Sequence, residues 1–349
     1  MSKKGFSVRS LLITIFFVIM ITGGITGYLA YHYIWSSNVS SDRPFSFIYI
    51  HTGDDYDDVM ASLKNSGTIK NLSTFDWVAK RKKYNLKVRP GRYRITKGMN
   101  NEDLVNLLRS GMQEPVNVTF NNIRTKKDLA SSVGKQLEAD SIELLSLLDN
   151  DSVIKALGFK NETVISMFIP NTYEFYWTTD AHEFIQRMKK EYKAFWTDER
   201  KSKASAIGFS PEQVSTLASI VNQESNMTND KPIIAGVYIN RINKGMPLEA
   251  DPTLKFAIGD FSIKRILNVD KQIESPYNTY KYAGLPPGPI CIPDHADIDA
   301  VLNYQKHNYL YFCAREDFSG YSNFAATYEE HLVNANKYQA ALNRLNIRR

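Results

Sequence analysis

The chain has 349 residues, of which 43% are hydrophobic and 23% are charged, a composition that excludes a disordered or collagen-like protein. Its two cysteines, Cys291 and Cys313, are too few for a disulfide scaffold and form no CxxC pair of the kind that binds zinc. The net charge is +6, and Lys3, Lys4 and Arg9 supply half of it, so the rest of the chain is too weakly basic to predict a nucleic-acid partner.

A long uncharged segment near the N-terminus predicts a membrane span. No charged residue occurs between Arg9 and Asp42. A helix from Leu11 to Ile34 would be roughly 36 Å long, enough to cross a hydrocarbon core of about 30 Å. We therefore predict a transmembrane helix over residues 10–35, with the basic tail over residues 1–9 in the cytoplasm. A long, cleaved signal peptide is the alternative.

The segment after this span predicts a linker and a small α/β module. Residues 36–44 are polar and end in proline, which is typical of a linker. Residues 45–120 alternate between strand-like segments and short amphipathic helices, with Gly67 and Gly111 as helix stops. This arrangement resembles LysM-type glycan-binding modules, although a generic α+β module would have the same pattern. Lys80–Lys83 is a run of four basic residues that is either a solvated face or a site for membrane phosphates or an anionic polymer.

Residues 121–205 predict a mainly helical connecting region. Two amphipathic segments, Thr125–Leu148 and Ala181–Lys201, are each predicted to be helical. Between them lies the aromatic stretch MFIPNTYEFYW. It is predicted to be either a core strand or a platform on which aromatic rings meet sugar faces, and the platform residues would be Tyr173, Tyr176 and Trp177.

A helix that begins after Ser210 carries the most informative acidic residue. Ser210 is a good N-cap, Pro211 suits the first helical position and Gln213 completes a capping box. The apolar stripe of this helix continues onto Glu224, which places a carboxyl group on the inward face at the helix end. Apolar surroundings raise a carboxyl pKa, and a protonated carboxyl can act as a general acid towards a glycosidic oxygen. A buried structural glutamate is the alternative.

The segments that follow supply polar loops. A second helix over Pro232–Lys244 is followed by a long loop, Ser275–Pro293, which is rich in Pro, Gly, Asn, Thr and Tyr. We expect such a loop not to form core, and its side chains both donate and accept hydrogen bonds, as hydroxyl-rich sugars require.

At this point the motifs resemble the YceG-like family of endolytic murein transglycosylases. The resemblance rests on LASIVNQES, VYINRINKGMPLEADPT, SPYNTYKYAGLPPGPICIP and YLYF, in that order. It implies an α+β protein with a single N-terminal transmembrane helix, a small LysM-like module and a mixed α+β catalytic domain over residues 206–349. It further implies a carbon–oxygen lyase that cuts peptidoglycan strands internally between N-acetylmuramic acid and N-acetylglucosamine, leaves 1,6-anhydro ends and terminates strand elongation. By position in the motif, the family's catalytic glutamate corresponds to Glu224.

A lytic reaction needs one acid/base group, because the 6-hydroxyl of the muramyl sugar is an intramolecular nucleophile. Neither a metal nor a cofactor is expected, since the six histidines lack a convincing ligand spacing. Many relatives carry a histidine where this chain has Ser322, which would alter affinity or cleavage preference. The residues predicted to position substrate or, in the loops, to hold Glu224, with turn chemistry or helix capping as the alternative role, are Asp251, Thr253, Tyr277, Asn278, Thr279, Tyr280 and Arg241.

The resemblance also predicts location and partners. The protein would lie in the plasma (inner) membrane with a single pass, a cytoplasmic N-terminus and an extracytoplasmic catalytic domain. Its partners would be peptidoglycan glycan strands, the membrane and cell-wall synthases, without nucleic acid. Two other functions compete with the lyase: a wall-binding scaffold that recruits synthases without cutting, and a muramidase-type hydrolase that leaves reducing ends.

Overall fold

The computed structural model describes residues 8–263 and 265–345, in which the chain forms fourteen α-helices and six short strands. It is thus a mixed α+β protein, as predicted. The chain divides into two compact units. The first contains the described residues up to Asn117 together with Glu174–Thr179, and the second contains Val118–Tyr173 and the described residues from Asp180 onward. Of the predicted cytoplasmic tail, residues 1–7 lie outside the described residues.

The first unit is built from four helices and one antiparallel strand pair, with a third strand that leads out of it. In chain order these are α1 (Val8–Trp35), β1 (Phe45–Ile50), α2 (Tyr56–Ser66), α3 (Leu72–Arg81), β2 (Gly91–Thr96), α4 (Asn101–Ser110) and the start of β3 (Val116–Thr119). Gly67 ends α2 and Gly111 ends α4, both in the left-handed conformation that glycine adopts without strain, which confirms the predicted stops.

The register of β1 and β2 determines which side chains form the core of this unit. Phe45 pairs with Thr96 and Ile50 with Gly91. Because side chains alternate across a strand, Ile48 and Ile50 of β1 point inward with Tyr93 and Ile95 of β2, and all four are buried. Helices α2, α3 and α4 pack their apolar residues into the same core.

Helix α1 corresponds to the predicted membrane span. It is long and apolar enough to cross a membrane, and none of its residues is buried. Only its last turn is attached to the first unit: the Tyr33 carbonyl accepts a 2.8 Å hydrogen bond from Asn101 Nδ2, and the Tyr33 ring meets Trp77 edge-on at 5.8 Å. The apolar side chains before this turn are therefore not buried by the described part of the chain, and a lipid bilayer would bury them.

The second unit is mainly helical. In chain order its elements are α5 (Lys126–Gly134), α6 (Ser141–Asp149), α7 (Asp151–Leu157), β4 (Thr172–Phe175), α8 (Ala181–Phe195), α9 (Asp198–Ile207), α10 (Pro211–Glu224), α11 (Lys231–Asn243), α12 (Asp251–Ile258), α13 (His295–Leu302), β5 (Tyr311–Ala314), β6 (Ser322–Ala325) and α14 (Tyr328–Arg344). The last two residues of β4 belong to the first unit. Strands β5 and β6 pair antiparallel, with Tyr311 opposite Ala325.

Two helices predicted as continuous are each broken in two. The segment predicted over Thr125–Leu148 forms α5 and α6, and the one over Ala181–Lys201 forms α8 and α9. In each case a capping side chain starts the second helix: the carboxylate of Asp140 accepts from Ile142 N, and the hydroxyl of Thr197 accepts from Arg200 N. Periodicity continues across such breaks, which is why the sequence pattern missed them.

Helix α10 lies at the centre of the second unit. Its residues from Val214 to Val221 are all buried, and α11 and α13 pack against it. The predicted start is confirmed: Ser210 caps the helix, Pro211 is its first residue and Gln213 completes the capping box. Because α10 is packed on all sides between Val214 and Val221, its side chains can reach a cavity at the end of the helix.

Candidate active site

Glu224 is the last residue of α10 and stands at the floor of a pocket. The next residue, Ser225, is in an extended conformation, so the chain leaves the helix immediately after the glutamate. The glutamate side chain is half-buried, whereas the positions one and two turns before it are fully buried. The carboxyl group therefore lies at the boundary between the core and an open cavity.

Tyr238, from the middle of α11, contacts this carboxyl group directly. Its hydroxyl donates a 2.7 Å hydrogen bond to Glu224 Oε1. Burial raises the pKa of Glu224 from 4.5 to about 7; the Tyr238 hydrogen bond opposes this rise, the Asp251 charge adds to it and the Lys255 charge opposes it. No described side chain bonds to Oε2, so this oxygen can carry a proton that faces the pocket.

The pocket around Glu224 has a volume of about 440 Å³ and a mixed polar and aromatic wall. Its lining residues come from several separate segments of the second unit. They are Glu224, Tyr238, Arg241, Leu248, Glu249, Asp251, Lys271, Tyr280, Leu310, Tyr311, Phe312, Tyr328 and His331. Such a wall offers carboxylates, hydroxyls and ring faces, the groups that bind a sugar.

Four of the eight residues predicted from sequence meet here: Glu224, Arg241, Asp251 and Tyr280. Asp251 was expected in a turn, but it is the first residue of α12, and Pro252 follows it at the helix start. The Tyr280 hydroxyl donates a 2.6 Å hydrogen bond to Asp251 Oδ1, and the Lys271 ammonium lies 4.5 Å from the Tyr280 ring centre.

The other four residues lie outside the pocket wall. Thr253 and Thr279 are buried, and their hydroxyls share a 2.8 Å hydrogen bond. The Thr279 hydroxyl also accepts from Ala250 N at 3.0 Å, and its carbonyl accepts from Glu249 N. The two threonines thus fasten the loop to the start of α12, which is how Asp251 and Tyr280 come together. Their placement does not support the prediction that they contact substrate.

Asn278 and Tyr277 have similar structural positions. The Asn278 side-chain amide donates to the carbonyls of Lys271 and Ile273, and its oxygen accepts from Tyr280 N, so it organises the loop from inside. The Tyr277 ring packs against Phe256 at 4.7 Å, in a separate groove. Neither residue reaches the wall around Glu224.

Arg241 is buried at the edge of the pocket. It donates to the carbonyls of Leu310, Pro247 and Leu248 and forms a 2.9 Å ion pair with Glu249. Arg241 therefore joins α11 to β5 and to the segment before α12, and most of its donors are already occupied. Glu249 has a positive φ of 54°, a conformation that this ion pair helps to hold.

Several lining residues were not predicted. Tyr238 is the most important of them, and its only sequence signal is a lone tyrosine hydroxyl in the otherwise aliphatic segment PIIAGVYI. Tyr311, Tyr328 and His331 line the pocket from β5 and α14, and the His331 ring stacks on Tyr311 at 5.3 Å. Burial lowers the pKa of His331, so a neutral imidazole is favoured there. Within the described residues there is no group of three or more His, Cys, Asp or Glu side chains that could hold a metal ion.

Known proteins resemble the chain over most of its length. The family model described as the YceG-like family matches residues 48–337. Curated relatives named endolytic murein transglycosylase include one from Streptococcus pneumoniae D39, 28% identical over 336 residues, and one from Bacillus subtilis 168, 28% identical over 312 residues. Each alignment covers 85% of this chain; it covers 59% of the Streptococcus protein and 85% of the Bacillus protein. The chain therefore spans less than two thirds of the Streptococcus relative.

A solved structure shares the fold. A crystal structure of a yceG-like protein from Listeria monocytogenes matches with a TM-score of 0.56 and 27% sequence identity, covering 83% of this chain and 98% of that one. Since the family model spans most of the sequence, the chain belongs to the YceG-like family.

Proposed function

We propose that this protein is an endolytic lytic transglycosylase of peptidoglycan, a lyase that cuts between N-acetylmuramic acid and N-acetylglucosamine inside glycan strands. The observation that carries the proposal is the half-buried Glu224, with a pKa raised to about 7 and a hydrogen bond from Tyr238, at the floor of a sugar-sized pocket. The names of the Streptococcus and Bacillus relatives support the same reaction class.

Glu224 serves in turn as acid and base. In its protonated form it gives a proton to the glycosidic oxygen as the bond to the anomeric carbon of the muramyl sugar breaks. The resulting carboxylate then takes the proton of the 6-hydroxyl of the same sugar, whose oxygen attacks the anomeric carbon. The products are a 1,6-anhydro-muramyl end and a free 4-hydroxyl on N-acetylglucosamine, no water is consumed, and Glu224 is protonated again.

The remaining pocket residues have positioning roles in this proposal. Tyr238 holds one carboxyl oxygen and directs the other towards the substrate. Asp251 and Tyr280, joined by their hydrogen bond, accept hydrogen bonds from sugar hydroxyls, and Arg241 keeps the pocket wall in place. Thr253, Thr279, Tyr277 and Asn278 support the loop that presents Tyr280.

The apolar helix α1 and the basic residues before it support a location in the plasma membrane. We place Lys3, Lys4 and Arg9 in the cytoplasm, residues 10–35 in the plasma membrane and the rest outside it, where nascent strands are made. In this arrangement residues 36–44 are the linker, 45–120 a LysM-like glycan-binding module, 121–205 the connecting region and 206–349 the catalytic domain. Cutting near the membrane would terminate strand elongation, with wall synthases as partners.

One observation favours a second function, a muramidase-type hydrolase. Asp251 lines the same pocket as Glu224, and hydrolases that use water need a second carboxylate beside the scissile bond. The Tyr280 hydroxyl already donates a hydrogen bond to Asp251 Oδ1, which occupies an oxygen that a water nucleophile would need, and this favours the lyase.

Product analysis tests the proposal. The full chain in detergent is incubated with purified sacculi, and the fragment ends are identified by mass spectrometry. A lyase gives anhydro ends, lighter than reducing ends by one water, whereas reducing ends would establish the hydrolase. Glu224→Gln should abolish cutting, because an amide cannot donate an equivalent proton. Glu199→Gln, an exposed residue of α9 paired with Lys203, is the matched control and should cut normally.

A further inference from the structure

The outward face of the β1–β2 sheet in the first unit carries an unusual set of side chains. Inward residues of the two strands form the core, so the alternate positions point outward. These outward residues are Phe45, Phe47 and Tyr49 in β1 and Arg92 and Arg94 in β2. Together with Trp177 we call them the aromatic–arginine strip.

The two arginines lie over ring faces. The Arg92 guanidinium carbon is 3.5 Å from the centre of the Phe47 ring, and that of Arg94 is 4.0 Å from the centre of the Phe45 ring. Stacking of this kind fixes the plane of a guanidinium group while leaving its edge donors directed away from the ring. Arg92 uses one donor for the Pro115 carbonyl, and Arg94 has a 3.9 Å exposed ion pair with Glu114, so both keep donors for a ligand.

Trp177 extends the strip beyond the sheet. Its ring meets the Tyr49 and His51 rings edge-on, each with centres 4.9 Å apart. The Glu174–Thr179 segment that carries it belongs to the first unit, and Gln113 Nε2 donates to Thr178 Oγ1 at 3.2 Å to hold it there. This tryptophan is one of the residues predicted from sequence to meet sugar faces, whereas Tyr173 is buried and donates its hydroxyl to the Ile169 carbonyl.

The strip is solvent-accessible despite its aromatic content. Phe45 and Tyr49 are 37% and 41% exposed. The solvent-facing positions of an antiparallel sheet usually carry polar residues, so aromatic residues at these positions are unusual. A contiguous exposed apolar surface with fixed polar groups indicates a binding site. The ligand must therefore offer apolar faces to the rings and anionic groups to the guanidinium groups.

We propose that the aromatic–arginine strip binds the peptidoglycan strand outside the catalytic pocket. Sugar rings would stack on Tyr49 and Trp177, and Arg92 and Arg94 would bind the carboxylates of muramyl groups or of their peptides in bidentate fashion. This inference rests on the proposed murein substrate and on the proposed glycan-binding role of residues 45–120, and it adds the surface that binds and the anionic groups of the strand that this surface recognises.

Charge favours this ligand over an uncharged polysaccharide. From Trp77 to Asn101 the sequence of the first unit contains nine Lys and Arg residues and no acidic residue. A polyanionic strand is attracted to such a unit at long range, and the stacked arginines then provide the short-range geometry.

Binding can be measured without cutting. The full chain with Glu224→Gln is mixed in detergent with purified sacculi, and the bound fraction is determined by sedimentation at several salt concentrations. In that background Arg92→Gln/Arg94→Gln should weaken binding about tenfold at low salt and reduce its salt dependence. Arg92→Lys/Arg94→Lys should recover only part of the loss, because an ammonium group cannot bind bidentately. Lys201→Gln/Lys203→Gln, on α9, removes the same charge and should bind normally.

A second ligand distinguishes the contribution of the two arginines to binding from that of the aromatic residues. Uncharged N-acetylglucosamine oligomers should bind equally well to the parent and to the arginine-to-glutamine variant. Tyr49→Ala/Trp177→Ala should weaken the binding of both sacculi and oligomers. Thermal unfolding of each variant establishes that the first unit remains folded.

The proposal is overturned if the arginine-to-glutamine variant binds sacculi like its parent. If the same variant also loses binding to anionic vesicles, the arginines bind a membrane surface instead. Neither result contradicts the proposed lyase function if the protein that retains Glu224 still produces anhydro ends. Reducing ends with strip-dependent binding would instead overturn the lyase and retain a glycan site.

Discussion

The hydroxyl of Tyr238 donates a 2.7 Å hydrogen bond to Oε1 of Glu224, and so joins the middle of α11 to the final residue of α10. Both helices are packed in the core of the second unit, which fixes the relative position of the two groups. The bond stabilises the ionised carboxylate, while burial disfavours it, and the balance leaves the pKa of Glu224 at about 7. A group with this pKa can both give and take a proton near neutral pH.

Replacing Tyr238 by Phe tests this balance. Without the donor the pKa of Glu224 rises further, so the fall of kcat/KM at high pH should move to higher pH. The loss of orientation should lower kcat by about tenfold to a hundredfold, the range expected for a hydrogen bond to a charged group. The measurement is a pH profile of sacculus cutting. A lower kcat with an unmoved profile would contradict this role for Tyr238.

The chain offers a closely matched control for that variant. The Tyr56 hydroxyl donates a 3.0 Å hydrogen bond to Asp76 Oδ1 in the first unit. Tyr56→Phe therefore removes a tyrosine–carboxylate bond of the same kind at a place remote in sequence from the pocket residues. Its pH profile should coincide with that of the parent protein.

A raised carboxyl pKa also makes stability depend on pH. Below pH 4.5 Glu224 is protonated in both folded and unfolded chains and causes no penalty. Between pH 4.5 and about 7 the unfolded chain releases the proton while the folded chain keeps it, so stability falls as pH rises; above about pH 7 the penalty is complete. Glu224→Gln should thus unfold like the parent at pH 4 and be more stable by roughly 1–3 kcal/mol at pH 8. Urea unfolding at the two pH values measures this, and an equal difference at both would contradict it.

Local sequence signals predicted the start of α10 well, whereas contacts between distant segments were inaccessible to them. Ser210, Pro211 and Gln213 act within one turn, so their pattern alone defines where α10 begins. The hydrogen bond of Tyr238 with Glu224 depends on how α11 packs on α10, which no spacing within either helix reveals.

The polar loop shows what such local signals do not resolve. The sequence predicts that Thr253 and Thr279 position substrate or hold Glu224, with turn chemistry as the alternative. In the folded chain the two hydroxyls meet each other across 26 residues of sequence and become buried. From sequence alone, two polar residues that pair with each other in the core cannot be distinguished from polar residues that bind substrate.

Replacing Thr279 by Val tests that structural role. The variant leaves the buried Ala250 N without its acceptor and removes the bond between the Thr279 and Thr253 hydroxyls, although Thr253 keeps its 2.7 Å bond to the Ala250 carbonyl. We expect a loss of about 1–3 kcal/mol in the free energy of unfolding, together with a higher KM because Asp251 and Tyr280 are no longer held together. Thr279→Ser keeps the hydroxyl and should retain most of the stability and activity. Chemical denaturation and kinetics measure the two effects, and a Val variant as stable as the Ser variant would contradict the assignment.

Asp297, on α13, binds both sides of the turn that follows Glu224. It is fully buried, forms a 2.6 Å ion pair with Lys231 at the start of α11 and accepts a 2.6 Å hydrogen bond from Asn222, two residues before Glu224. Asp297→Asn leaves the almost buried Lys231 charge without its counter-charge, so we expect the free energy of unfolding to fall by roughly 3–5 kcal/mol.

Asp299→Asn is the control on the same helix as Asp297. It breaks a partly exposed ion pair with Arg200 of α9, so the free energy of unfolding should fall by less than about 1 kcal/mol. Adding Lys231→Met to Asp297→Asn should restore part of the stability, because the uncompensated charge is then gone. If the double variant were no more stable than Asp297→Asn, the cost would come from the hydrogen bonds that Asp297 Oδ2 accepts from Asn222 Nδ2 and Asp294 N, and unfolding of Asn222→Ala would measure the Asn222 contribution.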